Sequence, residues 1–374
     1  MARVLMVHPG AELYGSDRMF LESVRGFVEA GHQVSVVLAE SGPLLAEIEA
    51  VGVPVRVQPI PVLRKAALRP AGLAALLRTA AVTWLPSWRL VGRGRFDLVY
   101  VSTLTAPGWL LLGRLRGLRV VCHVHEAEDA GRPVVETALV APLLLTHRVI
   151  ANSEFTKSYV GQRIRLLSPR TTVVPNGVIS TADRAPREQL TGGLRVAYVG
   201  RISPRKGPQV AVEAVRRLND TGQPAELALV GSVFTGYEWF DRELRKSNQD
   251  LLDAGVVHLA PFERDPARTF EDCDVAVVPS LLAESFGNTA VEAMLAGRPV
   301  VVSDIGGLPE VIRGVASACA VPPGDPTALA NALRATVDTW PTQRQAAWAA
   351  RDRVRQRFSP GRYRTAVVEA ALPE

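Results

Sequence analysis

The stretch "DVAVVPSLLAESFGNTAVEAMLAGRPVVVSD", residues 274–304, contains a strand, a loop, a helix and a second strand in succession. The first strand is continuously apolar, and after the loop Asn288 is a candidate N-cap for the helix. The helix ends at Gly297, with Pro299 just beyond it. Apolar strands joined by a helix are typical of a parallel sheet that is covered on both faces.

The same alternation of apolar runs and helical stretches extends through the rest of the chain. Further strands are predicted at 3–8, 32–39, 53–60, 96–103, 119–125, 147–153, 172–178, 194–200, 225–231 and 256–262. Polar, Pro and Gly residues interrupt the series at 179–193, which suits an interdomain linker. The pattern therefore predicts two α/β domains in tandem.

We predict that both domains are Rossmann-like and doubly wound, and that they face each other across a cleft. The N-terminal domain covers 1–180, a linker covers 181–193, and the C-terminal domain covers 194–355. The last helical region, 356–374, is expected to pack back on the N-terminal domain. Ligands of such sheets bind at the carboxyl ends of the strands, so the cleft is the expected site.

The composition is that of an ordinary globular protein, with 47% hydrophobic and 21% charged residues among 374. No apolar run reaches the roughly 18–20 residues of a membrane-spanning helix. The start "MARVLMVHPG" has no cleavage-like site, so we expect no secretory signal. Cys122, Cys273 and Cys319 lack the spacing of a disulfide framework or a zinc site. These features predict a cytoplasmic protein with reduced thiols.

The net charge of +6 is unevenly distributed. No acidic residue lies between Glu49 and Asp97, although eight Arg and Lys residues do, and Trp84 and Trp88 fall in the same segment. Such a segment suits the anionic inner surface of a membrane, and it equally suits a solvated helix face. No nucleic-acid-binding motif accompanies the charge, so nucleic acid is not an expected partner.

Two groups of charged residues in the second half predict a ligand site. Arg201 and Lys206 follow a strand and precede a helix, which is a favourable place for an anion. Glu284 lies on the loop after the predicted strand 274–280, and Glu292 lies about one turn into the following helix. Taken singly, each is explained as a surface residue or as a first-turn carboxylate. Together they match hydroxyl groups on either side of a diphosphate.

These segments resemble the retaining glycosyltransferases of family 4, which have the GT-B fold. The resemblance rests on "GRISPRKG" (200–207), "VVHLAPF" (256–262) and the run 274–312. It implies that Arg201 and Lys206 hold the donor diphosphate, that Glu292 binds the ribose, and that Glu284 contacts the transferred sugar. It implies further donor contacts along the pocket, from Gly231, Phe262, Phe286, Gly287, Asn288 and Thr289.

The first half resembles the family more loosely, through "AGHQVSVV", "CHVHE", "RVIANSEFTKS" and "VVPNGV". His125 corresponds to the family's histidine near the transferred sugar and the acceptor, although His123 shares its face of the strand. Where the family carries a Gly-Gly pair, this chain has Gly15 and Ser16. Asp17 and Arg18 are either acceptor contacts or helix N-terminal residues, and an acceptor contact from Glu126 is open.

Asp272 and Asp274 form an apparent DxD metal motif, which we interpret as structural because the family usually works without a divalent ion. No cofactor is expected, and Arg201 and Lys206 would stabilise the leaving diphosphate. The predicted reaction is retaining transfer of a sugar, from a nucleotide-diphosphate sugar to an acceptor hydroxyl.

The acceptor is expected to be a cell-surface glycan or a glycolipid. The alternatives are a small secondary metabolite as acceptor and a non-catalytic nucleotide-sugar-binding module. A hydrolase or an epimerase on the same fold ranks lower, and a dehydrogenase would need a GxGxxG motif, which neither half supplies after a strand.

Overall fold

The structure, a computed structural model, describes residues 1–63, 70–127, 133–233, 236–263 and 265–373. The chain divides into two compact units. The first comprises Met1–Gly177 together with Pro360–Glu374, and the second comprises Val178–Ser359. Each unit is built around one parallel sheet, and this confirms the predicted class of two Rossmann-like α/β domains.

The first unit contains a seven-stranded sheet in the order β3-β2-β1-β4-β5-β6-β7. Its strands are β1 (Arg3–His8), β2 (Gln33–Leu38), β3 (Val55–Val57), β4 (Leu98–Val101), β5 (Arg119–Val124), β6 (Arg148–Ala151) and β7 (Thr171–Val173). Its helices are α1 (Gly15–Glu29), α2 (Pro43–Ala50), α3 (Pro70–Leu90), α4 (Pro107–Leu115), α5 (Pro133–Val140), α6 (Glu154–Arg163) and α15 (Pro360–Ala371). Short 3-10 helices cover Ala141–Leu145 and Arg165–Arg170.

The second unit contains a six-stranded sheet in the order β10-β9-β8-β11-β12-β13. Its strands are β8 (Leu194–Val199), β9 (Ala225–Val230), β10 (Val257–Ala260), β11 (Val275–Val278), β12 (Val300–Ser303) and β13 (Ala318–Val321). Its helices are α7 (Pro208–Asp220), α8 (Glu238–Ser247), α9 (Gln249–Asp253), α10 (Ala267–Asp272), α11 (Asn288–Leu295), α12 (Leu308–Ile312), α13 (Pro326–Asp338) and α14 (Trp340–Arg357). A 3-10 helix covers Pro204–Lys206.

The strands are buried on both faces, as their continuous apolar character predicts. In β1, Leu5 and Val7 belong to one apolar core, whereas Val4 and Met6 belong to the core on the opposite face. The same alternation divides β8, where Ala197 packs apart from its neighbours. Helices pack on both faces of each sheet, so a site is expected at the strand ends.

The residues 178–193 lie in the second unit and are tied to it by ion pairs. Arg187 donates to both carboxylate oxygens of the buried Asp274, at 2.7 and 2.6 Å. Helix α15, in contrast, packs against α1 in the first unit. Strand β13 was not predicted, because "ACAV" is short and its middle residues are exposed.

Two further features bear on the sequence-based expectations. Within the described ranges, no helix is both long and apolar enough to cross a membrane. The three cysteines are free thiols, of which Cys122 and Cys273 are buried and Cys319 is exposed. Burial raises the pKa of the Cys273 thiol to about 12, which keeps it protonated at neutral pH.

Candidate functional site

Each sheet has one position where its strand order reverses, and the predicted site residues collect at both. In the first unit the reversal lies between β1 and β4, and in the second between β8 and β11. The helices that follow these neighbouring strands go to opposite faces, which leaves a crevice at the carboxyl ends. Ligands of doubly wound sheets bind there.

In the second unit, Lys206 and Glu284 form an ion pair at the carboxyl-terminal edge of the sheet. Lys206 Nζ lies 2.8 Å from Glu284 Oε2, and the Ser280 hydroxyl donates to the other carboxylate oxygen. Burial acts to raise the pKa of Glu284, but Lys206 and Ser280 outweigh it, so the pKa lies below the ordinary 4.5. The carboxylate is therefore ionised at neutral pH and accepts hydrogen bonds only.

Close backbone contact brings the two loops of this pair together. Leu281 N–H donates to the Arg205 carbonyl at 2.8 Å, which joins the loop after β11 to the loop before α7. Gly207 is left-handed, with φ of 69°, and a Cβ on it would lie 1.9 Å from the Pro279 carbonyl oxygen. Only glycine allows this approach, so Gly207 determines where Lys206 is presented.

Helix α11 begins beside this pair, one residue earlier than its sequence suggests. The N-cap is Gly287, with φ of 114°, and Asn288 is the first helical residue, so the predicted Asn288 N-cap is wrong. A Cβ on Gly287 would lie 2.6 Å from Leu308, because α12 packs tightly there. Thr289 and Glu292 lie on α11, and Glu292 is 9% exposed. The positive end of the helix dipole thus lies at this edge.

The remaining predicted donor residues lie on neighbouring strand ends of the same sheet. Gly231 follows β9 and packs so closely on Gly200 that a Cβ would lie 1.8 Å from the Gly200 carbonyl oxygen. Arg201 follows Gly200 and accepts a hydrogen bond from Tyr198 at its carbonyl. Phe262 follows β10 and is exposed, whereas the Phe286 ring is buried in the core. Phe286 can therefore offer a ligand only its backbone.

In the first unit the two candidate histidines have different environments. His123 is fully buried, its Nδ1 lies 2.6 Å from the Tyr100 hydroxyl, and its ring stacks on Tyr363. His125 follows β5, is half-buried and packs on His123 with 4.0 Å between ring centroids. Among the described residues, nothing hydrogen-bonds to Nε2 of either histidine. The geometry assigns His123 to the core and leaves His125 as the candidate for the site.

A buried pair that sequence reasoning missed lies beside His125. His8 ends β1, and its Nε2 lies 2.8 Å from Asp17 Oδ1, while Asp17 Oδ2 accepts from the Tyr14 N–H at 3.0 Å. Asp17 therefore caps α1 and orients the His8 ring. Gly10 lies directly against the pair, since a Cβ there would be 2.5 Å from Asp17 Oδ1. The histidine that closes "RVLMVH" was the available signal.

The charges of this pair reach His125. Burial and, less strongly, the charge of His8 lower the pKa of His125, Asp17 opposes both effects, and the resulting pKa is about 3. His125 is neutral at physiological pH, so one of its ring nitrogens donates a hydrogen bond and the other accepts one.

Other predicted residues of the first unit have mainly structural contacts. Glu126 accepts from the Thr103 hydroxyl at 2.5 Å and from the Leu104 N–H at 3.2 Å, which joins the loops after β4 and β5. Gly15 and Ser16 form the first turn of α1. Arg18 donates to the Leu13 carbonyl at 3.0 Å. The structure therefore places Gly15 and Ser16 at a helix N-terminus. The Glu126 carboxylate is hydrogen-bonded to the loop after β4.

The two aspartates of the DxD motif each pair with an arginine. Asp272 is exposed and pairs with Arg184, whereas Asp274 is buried and pairs with Arg187. Across the described ranges, no cluster of three or more His, Cys, Asp or Glu side chains could hold a metal ion. These contacts give Asp274 a structural role in attaching residues 178–193.

Family models match both halves of the chain. The model described as Glycosyltransferase Family 4 matches residues 14–181. The model described as Glycosyl transferases group 1 matches residues 193–339.

Similar proteins are glycosyltransferases from several bacteria. The glycogen synthase of Mycobacterium tuberculosis is 33% identical over an alignment of 298 residues, which covers 74% of this chain and 69% of that protein. The D-inositol 3-phosphate glycosyltransferase 1 of Catenulispora acidiphila is 27% identical over 360 residues, covering 88% and 84%. The crystal structure of Anabaena HepE with UDP and glucose has a TM-score of 0.81 at 21% identity and covers 99% of both chains. This likeness confirms the GT-B fold.

Proposed function

This chain belongs to the group 1 glycosyltransferases of family 4, and we propose that it transfers a hexose from a nucleotide-diphosphate donor to an acceptor hydroxyl, with retention of the anomeric configuration. The observation that carries the proposal is the Lys206–Glu284 pair at the strand-order reversal of the second sheet. An ammonium and an ionised carboxylate held together there suit a ligand that carries a diphosphate next to hydroxyl groups.

The donor is proposed to bind along the strand ends of the second unit. Lys206 and Arg201 bind the diphosphate, the first turn of α11 adds backbone N–H groups, and Glu284 accepts from hydroxyls of the sugar. Glu292 binds the ribose, and Gly231 and Phe262 border the nucleotide. The complex of HepE with UDP and glucose makes UDP the first nucleotide to test.

In the proposed reaction, the acceptor oxygen bonds to the anomeric carbon while the bond from that carbon to the diphosphate oxygen breaks. Acceptor attack occurs on the face from which the diphosphate departs, and the diphosphate takes the acceptor's proton. The protein therefore contributes positioning and charge stabilisation, the latter from Lys206 and Arg201 and without a metal ion. His125, on the first unit, is assigned to the acceptor and the transferred sugar.

We propose a carbohydrate acceptor, in the synthesis of a cell-surface glycan or glycolipid. The relatives named above include a glycogen synthase and an inositol phosphate glycosyltransferase, which act on polyhydroxylated acceptors by their names. A small secondary metabolite is the alternative acceptor.

Nucleotide binding is tested by thermal unfolding with UDP, GDP, ADP and dTDP, with and without EDTA. A nucleotide at about a hundred times its Kd should add about 2.7 kcal/mol to the free energy of unfolding. We expect one nucleotide to stabilise the protein regardless of EDTA, and Glu292→Gln to abolish the shift. Glu243→Gln, which changes an exposed carboxylate on α8, is the matched control and should keep the shift.

Catalysis is tested separately, with the sugar nucleotide of the base that binds. Water replaces the acceptor, and early proton NMR spectra identify the anomer of the sugar that is released. The anomer of the donor is the expected product, and the opposite anomer would exclude retention. Binding without any release of sugar, even with a panel of glycan acceptors, would favour a non-catalytic binding module.

A further inference from the structure

Helix α3 (Pro70–Leu90) has polar side chains at its most buried positions and several large apolar side chains at exposed positions. Its buried residues are Thr83 and Ser87, and the Ser87 hydroxyl accepts from the Gln58 side-chain amide at 2.9 Å. Leu77, Val82 and Leu85 are 60%, 67% and 51% exposed. A helix on the surface of a globular protein normally has the opposite arrangement. The outward face of α3 therefore exposes large apolar side chains where water would favour polar ones.

The outward face also carries positive charge. With 3.6 residues per turn, Ala81 and Leu85 occupy the side opposite Thr83 and Ser87, and Arg78 and Arg89 project from the same side, between Leu85 and Val82. Long arginine side chains can lie along an apolar surface while their guanidinium groups reach a polar layer. The outward face thus combines exposed apolar side chains with two cations that lie among them.

Aromatic residues add a third feature to the same helix. The Trp84 and Trp88 rings stack with 6.2 Å between centroids, and Trp84 is exposed. The Arg116 guanidinium lies 3.6 Å from the centre of the Trp88 ring, which fixes Trp88 to the body of the unit. Tryptophan favours the interface between a membrane and water, because one end of the ring is apolar and the other can hydrogen-bond.

The charge of the sequence segment that contains α3 indicates which partner would cover this face. From Ala50 to Phe96 the sequence contains eight basic residues and no acidic residue. Three of the basic residues, Arg64, Lys65 and Arg69, lie outside the described residues. A second copy of the chain would bring the same arginines against the first, which disfavours self-association. An anionic lipid surface offers negative headgroups above an apolar layer, and both match α3.

We propose that α3 docks the protein on an anionic membrane surface, with the helix lying in the plane of the headgroups. Leu77, Val82 and Leu85 enter the boundary of the acyl layer, Trp84 lies at the headgroup level, and Arg78 and Arg89 contact anionic headgroups. A helix of 21 residues extends about 30 Å along the surface. The proposal does not depend on sugar transfer.

Co-sedimentation of the full chain with vesicles tests the proposal. We expect binding to vesicles of phosphatidylcholine with phosphatidylglycerol, little binding to phosphatidylcholine alone, and weaker binding at high salt. Leu77→Glu combined with Leu85→Glu should lower the partition coefficient at least about tenfold, since it removes apolar contacts and adds like charge to the lipid. Both positions are exposed, so the fold should be unaffected, and an unchanged melting temperature checks this.

Leu166→Glu combined with Leu144→Glu is the matched control, because it makes the same change at exposed leucines outside α3. Binding that survives in this control but not in the α3 variant supports the proposal. Equal loss in both variants would reduce the effect to net charge and would overturn it. Absence of vesicle binding, with dimers that dissociate only in the α3 variant, would assign the face to a second copy.

The depth of insertion provides a second readout. Lipids brominated near the headgroup should quench part of the tryptophan fluorescence of the bound protein. Trp84→Phe should remove that part, whereas Trp239→Phe, which changes an exposed tryptophan of the second unit, should not. Equal quenching in the two variants would contradict insertion through α3.

Discussion

His123 and His125 show how two residues with the same sequence signal come to differ. Period-two alternation places both on one face of β5, so the sequence alone does not separate them. The structure separates them by what surrounds each ring: Tyr100 and Tyr363 enclose His123, whereas His125 lies beyond the last residue of the strand. The distinction depends on residues far away in the chain, which a local pattern cannot supply.

The neutral state of His125 has a measurable consequence for stability. Its ordinary pKa is 6.5, and burial lowers the pKa in the folded protein to about 3. Between these values the unfolded chain binds a proton that the folded chain does not, so stability falls as the pH falls below about 6.5. His125→Gln should reduce by about 1–2 kcal/mol the stability lost between about pH 7.5 and about pH 5.

Urea unfolding of both proteins at the two pH values measures this difference. His123 is buried in both proteins and contributes equally, so the comparison isolates His125. Equal losses in the wild type and the variant would show that His125 is protonated in the folded state, and its assignment as a neutral hydrogen-bonding group would then be wrong.

Sequence reasoning missed the His8–Asp17 pair for a different reason. Asp17 has a complete local explanation as a first-turn carboxylate of α1, and this conceals its contact with the end of β1. Six of the predicted donor residues, in contrast, lie close together in sequence between Glu284 and Glu292, and the other four follow strands β8, β9 and β10. Their placement at one edge follows from strand order alone, although their individual roles remain predictions.

At the scale of elements, glycines determine how closely the strand ends approach. Gly207 lets the loop before α7 touch the loop after β11, and Gly231 does the same between the ends of β9 and β8. The sequence indicated Gly231 as a strand end and placed Gly207 before a helix, but it indicated neither as a contact between backbones. Such contacts depend on which strands are neighbours, and hence on topology.

Gly207→Ala should therefore damage both the fold and the ligand site. The residue has φ of 69°, and the new Cβ would meet the Pro279 carbonyl oxygen. We expect a loss of about 2–4 kcal/mol from the combined strain and clash. Gly222→Ala is the control, because its φ is 79° and no atom lies within 4 Å of the added Cβ, so it should lose only about 1 kcal/mol.

Chemical denaturation measures the two losses, and nucleotide-induced thermal shifts measure the site. We expect the shift to vanish in Gly207→Ala and to persist in Gly222→Ala. If both variants lose the same stability, the contact with Pro279 is not a tight one, and Gly207 would not control the position of Lys206.

At the scale of the whole molecule, the two units are not two successive halves of the chain, because the first unit contains residues from both ends of the sequence. Residues 179–193 read as a linker because they are polar and contain Pro and Gly, yet Arg187 ties them to the second unit. The two-domain arrangement was predictable, since the strand–helix alternation restarts after this stretch. The exact boundary was not, because it is set by an ion pair with Asp274, about ninety positions away.

The return of the chain to the first unit leads to a prediction about where stability resides. Val367 on α15 is 0% exposed and packs in the same core as Val4 and Phe20. Val367→Ala should therefore destabilise the first unit by about 1–3 kcal/mol through the lost apolar contacts and the cavity left behind. Hydrogen exchange should accelerate in peptides of β1 and α1 and stay unchanged in β8 and β11, because local openings follow the core that is weakened. Thr365→Ala, an exposed change on the same helix, should alter neither set. Faster exchange confined to β8 and β11 would instead assign α15 to the second unit.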